Sequence, residues 1–526
     1  MKHQAISFGQ TGAFNSFFLD YIGDREALHP FYNRFPDIKN FKEQIQEKQK
    51  SFKPETRKLL ADTLQKQYKD INLSTAAANN LRSLLSENTF TVVTGHQLNI
   101  FTGPLYFIYK IVTAINSCRE LKKAYPEYNF VPVYWMASED HDFEEISYFK
   151  LNGKKFVWQT QQQGPVGRFQ LKELKQLLSE IPGGLEPFKT AYEKSQNLAD
   201  AVRHYVDQLF GAEGLIVVDG DDRELKNVLK PVMHADLFEG VTRKLVEQTN
   251  QDLKKLGYEP QVFARDINFF YIEDQLRERI EKTGDQFTVM KSALAFGNEE
   301  MQQIVEKHPE RLSPNVILRP LYQELILPNL AYIGGPAENI YWLQLKKIFE
   351  QFAVPFPILL PRNFALIVDA PEARLMKKAK LTPEQLFMDK QSLINLVTVK
   401  NSSKQLELET LKKHFGGSFE EIKSIATKID TTLSKLVDAE AHRALLGLEK
   451  IEKKMLQAER RKQSDKIRQA ENLKDKLFPN GSLQERTDNL LKFYQVDPAF
   501  ISRLLKSFDP FDFRFNILEY EQTGAS

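Results

Sequence analysis

The sequence predicts an α/β protein with a parallel-sheet core and a long C-terminal helical arm. Three observations carry this. Short β-rich runs alternate with amphipathic helical patterns through most of the first 390 residues, the arrangement that builds a parallel sheet covered on both faces by helices. The runs are continuous rather than alternating, as in Val131-Pro132-Val133-Tyr134-Trp135-Met136, which suits strands buried on both sides. Beyond about residue 420 the apolar residues advance in steps of three and four, the seam of a coiled coil.

The clearest strands are expected at Phe90–Thr94, Val131–Ala137, Leu215–Asp219, Leu330–Ile333, Pro357–Leu360 and Ala365–Asp369. Polar helices and weak strands interrupt this rhythm. The expected organisation is therefore a core first half over 1–160, an insertion over 161–200, a core strand within 201–225, a second insertion over 226–314, a core second half over 315–390, and a helical coiled-coil region over 391–526. The coiled-coil seam runs through Ile422, Ile425, Ile429, Leu433 and Leu436, then Ala441, Ala444, Leu448, Ile451, Met455 and Ala458. Neither Gly nor Pro occurs between Leu448 and Phe478, so a projecting helix is expected, packed within the chain or between subunits. Phe508, Phe511, Phe513 and Phe515 are expected to dock the tail on the core.

Composition narrows the function. With 526 residues, 42% hydrophobic and 27% charged, the chain can bury two or three globular cores. Lys and Arg total 72 against 70 Asp and Glu, which provides no global field for nucleic acid. The single Cys118 excludes an internal disulfide and a Cys-rich metal site, and its spacing from Ile108, Ile111 and Ile115 places it on a buried helix face. No signal-like or membrane-length apolar run occurs, so a cytoplasmic protein without a membrane partner is expected.

Three constellations carry chemistry. In the first, Thr94-Gly95-His96-Gln97 and Thr102-Gly103-Pro104 follow a strand and open a helix expected to reach about Lys123. Pro104 is expected as the first helical residue. The glycines allow a tight turn, the helix start is a seat for phosphate or carboxylate, and His96, Gln97 and Thr102 add donors. It is neither a Walker loop nor a dinucleotide fingerprint. The second, Ser138-Glu139-Asp140-His141-Asp142, follows the strand ending at Ala137, where ligands of open α/β sheets bind. These side chains suit a substrate ammonium, a nucleotide's Mg²⁺ or proton transfer, and no protein-held metal site is expected. In the third, Tyr332-Ile333-Gly334-Gly335-Pro336 repeats the strand-Gly-Pro-helix device with Glu338 in the first helical turn; Arg319 and Arg362 are candidate anion clamps. Lys110 reads equally well as a solvated charge.

Together with Trp135-Met136-Ala137-Ser138-Glu139-Asp140-His141-Asp142-Phe143-Glu144-Glu145 and Arg319-Pro320-Leu321-Tyr322-Gln323-Glu324, these blocks resemble the cysteine ligase BshC family of bacillithiol biosynthesis. The resemblance implies a Rossmann-like core related to class I aminoacyl-tRNA synthetases and nucleotidyltransferases, connective insertions, and a C-terminal α-helical coiled coil joining a homodimer. It implies an amide-forming, carbon–nitrogen ligase that joins cysteine to glucosaminyl-malate using ATP, with Mg²⁺ accompanying the nucleotide. On this reading His96, Glu139, Asp140, His141 and Asp142 are catalytic. Thr94, Gly95, Gln97, Thr102, Gly103, Arg319, Gly334, Gly335 and Arg362 hold the nucleotide or other anions, and Ser138, Tyr332 and Glu338 contact substrate. The synthetase signatures are missing: there is no His-x-Gly-His, and Lys454-Met455-Leu456 is not a Lys-Met-Ser-Lys-Ser loop. The alternatives are a related ligase for another amino acid or amine, and a non-catalytic coiled-coil scaffold.

Overall fold

A computed structural model describes residues 2–402, 406 and 408–520. Five strands, β1 (Thr89–His96), β2 (Asn129–Met136), β3 (Ile216–Asp219), β4 (Asn329–Gly334) and β5 (Ile358–Pro361), form an all-parallel sheet in the order β3-β2-β1-β4-β5. The chain winds outward from β1 to β3, then returns to the other side of β1 for β4. The order therefore reverses between β1 and β4, opening a crevice beyond their carboxyl ends. Threonines within β1 reinforce the seam. Thr91 Oγ1 lies 3.3 Å from Asn329 Oδ1, and Thr94 Oγ1 donates to the Ile333 carbonyl at 2.9 Å.

Helix α1 (Tyr106–Ala124) follows β1 and packs on the sheet, and α2 (Pro336–Leu343) follows β4. Cys118 on α1 is buried in an apolar cluster with Phe90, Val92 and Phe130, and burial pushes its thiol pKa up, so it is a core residue. A buried ion pair fixes the entry to β4. Lys48 donates to Glu324 at 3.1 Å, and Glu324 also accepts from Gln323 and Asn329.

The run at Ala365–Asp369 forms a strand, Phe364–Val368, but outside the central sheet. It pairs in parallel with Arg514–Glu519, which pairs antiparallel with Lys2–Ser7. Asn363 turns the chain away after β5: its amide donates to Thr113 Oγ1 and its side chain to the Asp509 carbonyl. The phenylalanine-rich tail thus docks partly as a strand, with Phe515 buried and Phe508 edge-on to Tyr109.

Residues 269–314 contain a five-stranded antiparallel sheet in the order Ala295–Gly297, Gln286–Val289, Leu276–Thr283, Phe269–Glu273, Leu312–Pro314. C-terminally, α3 (Glu409–Ile429) and α4 (Leu433–Lys462) pair within the chain as an antiparallel hairpin, joined by Asp430–Thr432 and bridged by Lys412–Glu452 and Lys423–Asp438. Neither helix has a buried residue, and Ile422, Ile425, Ile429 and Leu436 stay exposed. No described helix is long and apolar enough to cross a membrane.

Removing one partner of a buried ion pair strands the other charge. Lys48→Met is therefore expected to lower the unfolding free energy by about 3–5 kcal/mol in a denaturant titration. A loss below about 1 kcal/mol would show that Glu324 is satisfied without the lysine.

Candidate functional site

A cavity of about 800 Å³ occupies the crevice, lined by the carboxyl ends of β1, β2 and β4, the start of α2 and one face of the antiparallel sheet. Its floor is tied together by Glu338. One carboxylate oxygen meets Lys110 Nζ at 2.5 Å and the Gly335 amide at 2.8 Å, and the other accepts from the Tyr332 hydroxyl at 2.7 Å. Lys110 also donates to the Gly95 carbonyl at 2.9 Å. Burial opposes ionisation of Glu338, but Lys110 and these donors hold its pKa below the ordinary value. Lys110 is thus a buried strut rather than a solvated charge. Gly95 admits this packing because a Cβ there would lie 3.2 Å from the Tyr332 hydroxyl.

The loop after β1 divides. Gly95, His96 and Gln97 line the cavity, whereas Thr94 is committed to the β1–β4 seam, and Thr102 and Gly103 are buried elsewhere. Phe101 and Thr102 have positive φ, and Gly103 takes φ 59°, ψ −139°, a conformation open essentially to glycine. Asn489 donates to the carbonyls of Phe101 and Gly103 at 2.7 Å each, and the Leu105 amide donates to Asp488. Helix α1 starts at Tyr106, not Pro104, which bridges to Asn489. The C-terminal region covers this helix start, so Thr102 and Gly103 do not form the expected anion seat.

His96 stacks on Phe107 and accepts from Asn99 Nδ2 at 3.1 Å. Burial, helped by Lys110, pushes its pKa down to about 3. His141 is half-buried, its pKa lowered first by burial and then by Arg277, whose guanidinium lies 2.7 Å from Nδ1. A guanidinium only donates, so Nδ1 accepts and the neutral ring carries its proton on Nε2. His141 therefore presents a donor to the cavity.

The acidic loop is sewn down from behind. The Val166 and Gly167 amides donate to the carbonyls of Asp140 and Ser138, and a Cβ on Gly167 would meet Ser138 Cβ at 2.6 Å. Ser138 donates to Asp219, and Glu139 pairs at 2.5 Å with the fully buried Lys226. Burial raises the Glu139 pKa against the pull of Lys226. Gln97 binds Asp140 and Glu145 at 2.8 and 3.0 Å. Asp142 faces the cavity, and among the described residues its carboxylate has no hydrogen-bond or ion-pair partner. Ligand atoms of Asp140, His141 and Asp142 lie within 4.8 Å of one another, a spacing compatible with a divalent cation.

Arg319, Arg362, Tyr332 and Gly335 line the cavity, while Gly334 lies just behind it. Arg319 donates to Gln323, sits over Tyr332, and has no carboxylate partner among the described residues. Arg362 is paired with buried Glu485, yet its Nε is buried without an acceptor and lies beside Gly335 at the start of α2. Sequence reasoning did not find Arg277, Arg265, Arg279, Phe263 or Arg486. They come from the weak-strand insertion and from beyond the coiled coil, and no motif marks them.

Comparison with known proteins agrees with this architecture. Residues 1–363 match "Bacillithiol biosynthesis BshC, N-terminal Rossmann-like domain", and residues 365–520 match its "C-terminal coiled-coil domain". The chain is similar to the "Putative cysteine ligase BshC" of Flavobacterium johnsoniae, 41% identical over 98% of this chain and 100% of the relative. It is similar to the protein of that name from Christiangramia forsetii, 42% identical over 99% of both chains, and to that from Salinibacter ruber, 28% identical over 94% of both. A Rossmann-like core, a coiled-coil domain and full-length relatives together establish that the chain belongs to the BshC family of bacillithiol biosynthesis.

Proposed function

We propose that this protein is an ATP-dependent ligase that joins the carboxyl of cysteine to the amine of glucosaminyl-malate, the last step of bacillithiol synthesis, in the switch-point cavity. The carrying observation is the cavity's division of charge. One side presents an unpaired carboxylate, Asp142; the other presents Arg319 and the orphaned Nε of Arg362 beside the start of α2.

Making an amide from a carboxylate requires its oxygen to leave, and ATP supplies the activating group. The unsatisfied Arg362 Nε and the carboxylate-free Arg319 fit phosphate oxygens, so they would hold the nucleotide, with Mg²⁺ accompanying it. Asp142 binds the ammonium or takes the proton released by the attacking amine. His96 and His141 act as neutral donors to developing negative charge. Glu139, anchored to Lys226, and Asp140, bound by Gln97, hold the loop in register. The exposed seam of α3 and α4 supports assembly as a homodimer, and the reaction suits the cytoplasm.

Purified protein with ATP, cysteine and glucosaminyl-malate is expected to form the amide, detected by mass spectrometry. Asp142→Asn should lower the rate by about 100-fold or more with the fold intact. Product from another amine alone, or an unimpaired Asp142→Asn variant, would overturn this reading.

The histidines make a separate pH prediction. His96 titrates near 3 when folded and near 6.5 when unfolded, so the unfolded chain binds the extra proton and stability falls as pH drops below about 6.5. Between pH 7 and pH 5 the wild type should lose about 1–2 kcal/mol more unfolding free energy than His96→Gln. Parallel losses would show that His96 is freely protonated.

A further inference from the structure

The antiparallel sheet gives the cavity a wall that the activation chemistry above does not use. Arg277 and Arg279 are two residues apart on the strand Leu276–Thr283 and therefore share a face, and Phe270 lies directly across from Arg279. Arg277 is committed: its guanidinium lies 4.1 Å over the Phe270 ring and binds His141 and Ser313. Arg279 is exposed. Arg265 lines the same cavity from the loop before Phe269–Glu273, where its amide is held by Asn268 and Asn268 by buried Asp236. Among the described residues neither the Arg265 nor the Arg279 guanidinium has a hydrogen-bond or ion-pair partner.

These two free guanidinium groups tip the balance of the lining, which with them carries seven Lys and Arg side chains against five carboxylates, both cavity histidines being neutral. Like charges on one wall repel, so the arrangement favours an anion. The same lining holds Phe263, 67% exposed and two residues before Arg265, and Val316, 48% exposed, an aromatic plate and an aliphatic contact left in solvent at a polar cavity. The cavity lining thus offers two planar forks and an apolar plate. A polyphosphate is better matched by Arg319 and the unsatisfied Nε of Arg362. Two forks and a plate match a sugar ring carrying two carboxylates, each held bidentately while the ring's apolar face covers the aromatic.

Resting on the proposed reaction, we infer that Arg265 and Arg279, with Phe263 as the plate, form the subsite for the dicarboxylate arm of the amino-sugar acceptor and select acceptors that carry it. The amine then points toward Asp142 while the activated cysteine sits over α2.

The test is isothermal titration of the full-length protein with glucosaminyl-malate, with glucosamine lacking the malyl arm, and with ATP, alongside steady-state kinetics. Wild type should bind glucosaminyl-malate and discriminate against glucosamine. Arg265→Gln and Arg279→Gln, both at exposed positions, should each weaken glucosaminyl-malate binding at least 10-fold. They should narrow the preference over glucosamine and leave the affinity for ATP and the KM for cysteine within about twofold. Arg279→Lys should recover only part of the loss, because it restores charge without the fork. Unchanged glucosaminyl-malate affinity in both glutamine variants, or a loss confined to ATP, would overturn the subsite. If wild type binds glucosaminyl-malate through these arginines but makes no amide, the proposed reaction fails and the subsite stands.

Discussion

The ion pair between buried Lys110 and half-buried Glu338 is the contact on which the rest of the site depends. Lys110 belongs to the helix after β1 and Glu338 to the helix after β4, the two strands between which the sheet order reverses. The lysine charge alone would be costly at this depth. Paired, and completed by Tyr332, the Gly335 amide and the Gly95 carbonyl, they lock the two strand ends together. The crevice floor is built before any ligand arrives, and nearby His96 is kept neutral partly because Lys110 is close.

Three parts of the chain converge on that floor. The core supplies the glycine turns and the acidic loop. The antiparallel insertion supplies Arg277, which fixes the tautomer of His141 and makes it a donor. Residues beyond the coiled coil supply Glu485, which anchors Arg362, Asn489, which holds the loop after β1, and Arg486 on the cavity wall. The last contribution crosses the division between the two family domains at residues 363 and 365, so the coiled-coil domain helps shape a site that lies mostly in the other domain.

Much of this was legible in the sequence because its signals are local. Continuous apolar runs marked all five sheet strands, and the strand-Gly-Pro-helix device at Gly334-Gly335-Pro336 was visible because proline and glycine restrict the backbone directly. The device at Gly103-Pro104 looked alike but is spent on a strained loop held by Asn489, a contact almost 400 residues away that no local pattern encodes. Leu276–Thr283 reads as LRERIEKT, half-exposed and charged, so neither its strand nor Arg277 and Arg279 stood out. Lys2–Ser7 is mostly exposed and is held by pairing with Arg514–Glu519 at the far end of the chain, a contact no local pattern encodes. Lys110 was ambiguous for a related reason: a lysine on a helix reads as solvated until the carboxylate across the sheet is known.

A double-mutant cycle on Lys110→Met and Glu338→Gln, read as kcat/KM for the proposed ligation, measures the coupling of the two charges. If the pair acts as one strut, each single variant loses about 100-fold or more and the double variant is no worse than the poorer single. Losses that multiply, or singles within a fewfold of wild type, would contradict it by showing that the two residues act independently or not at all.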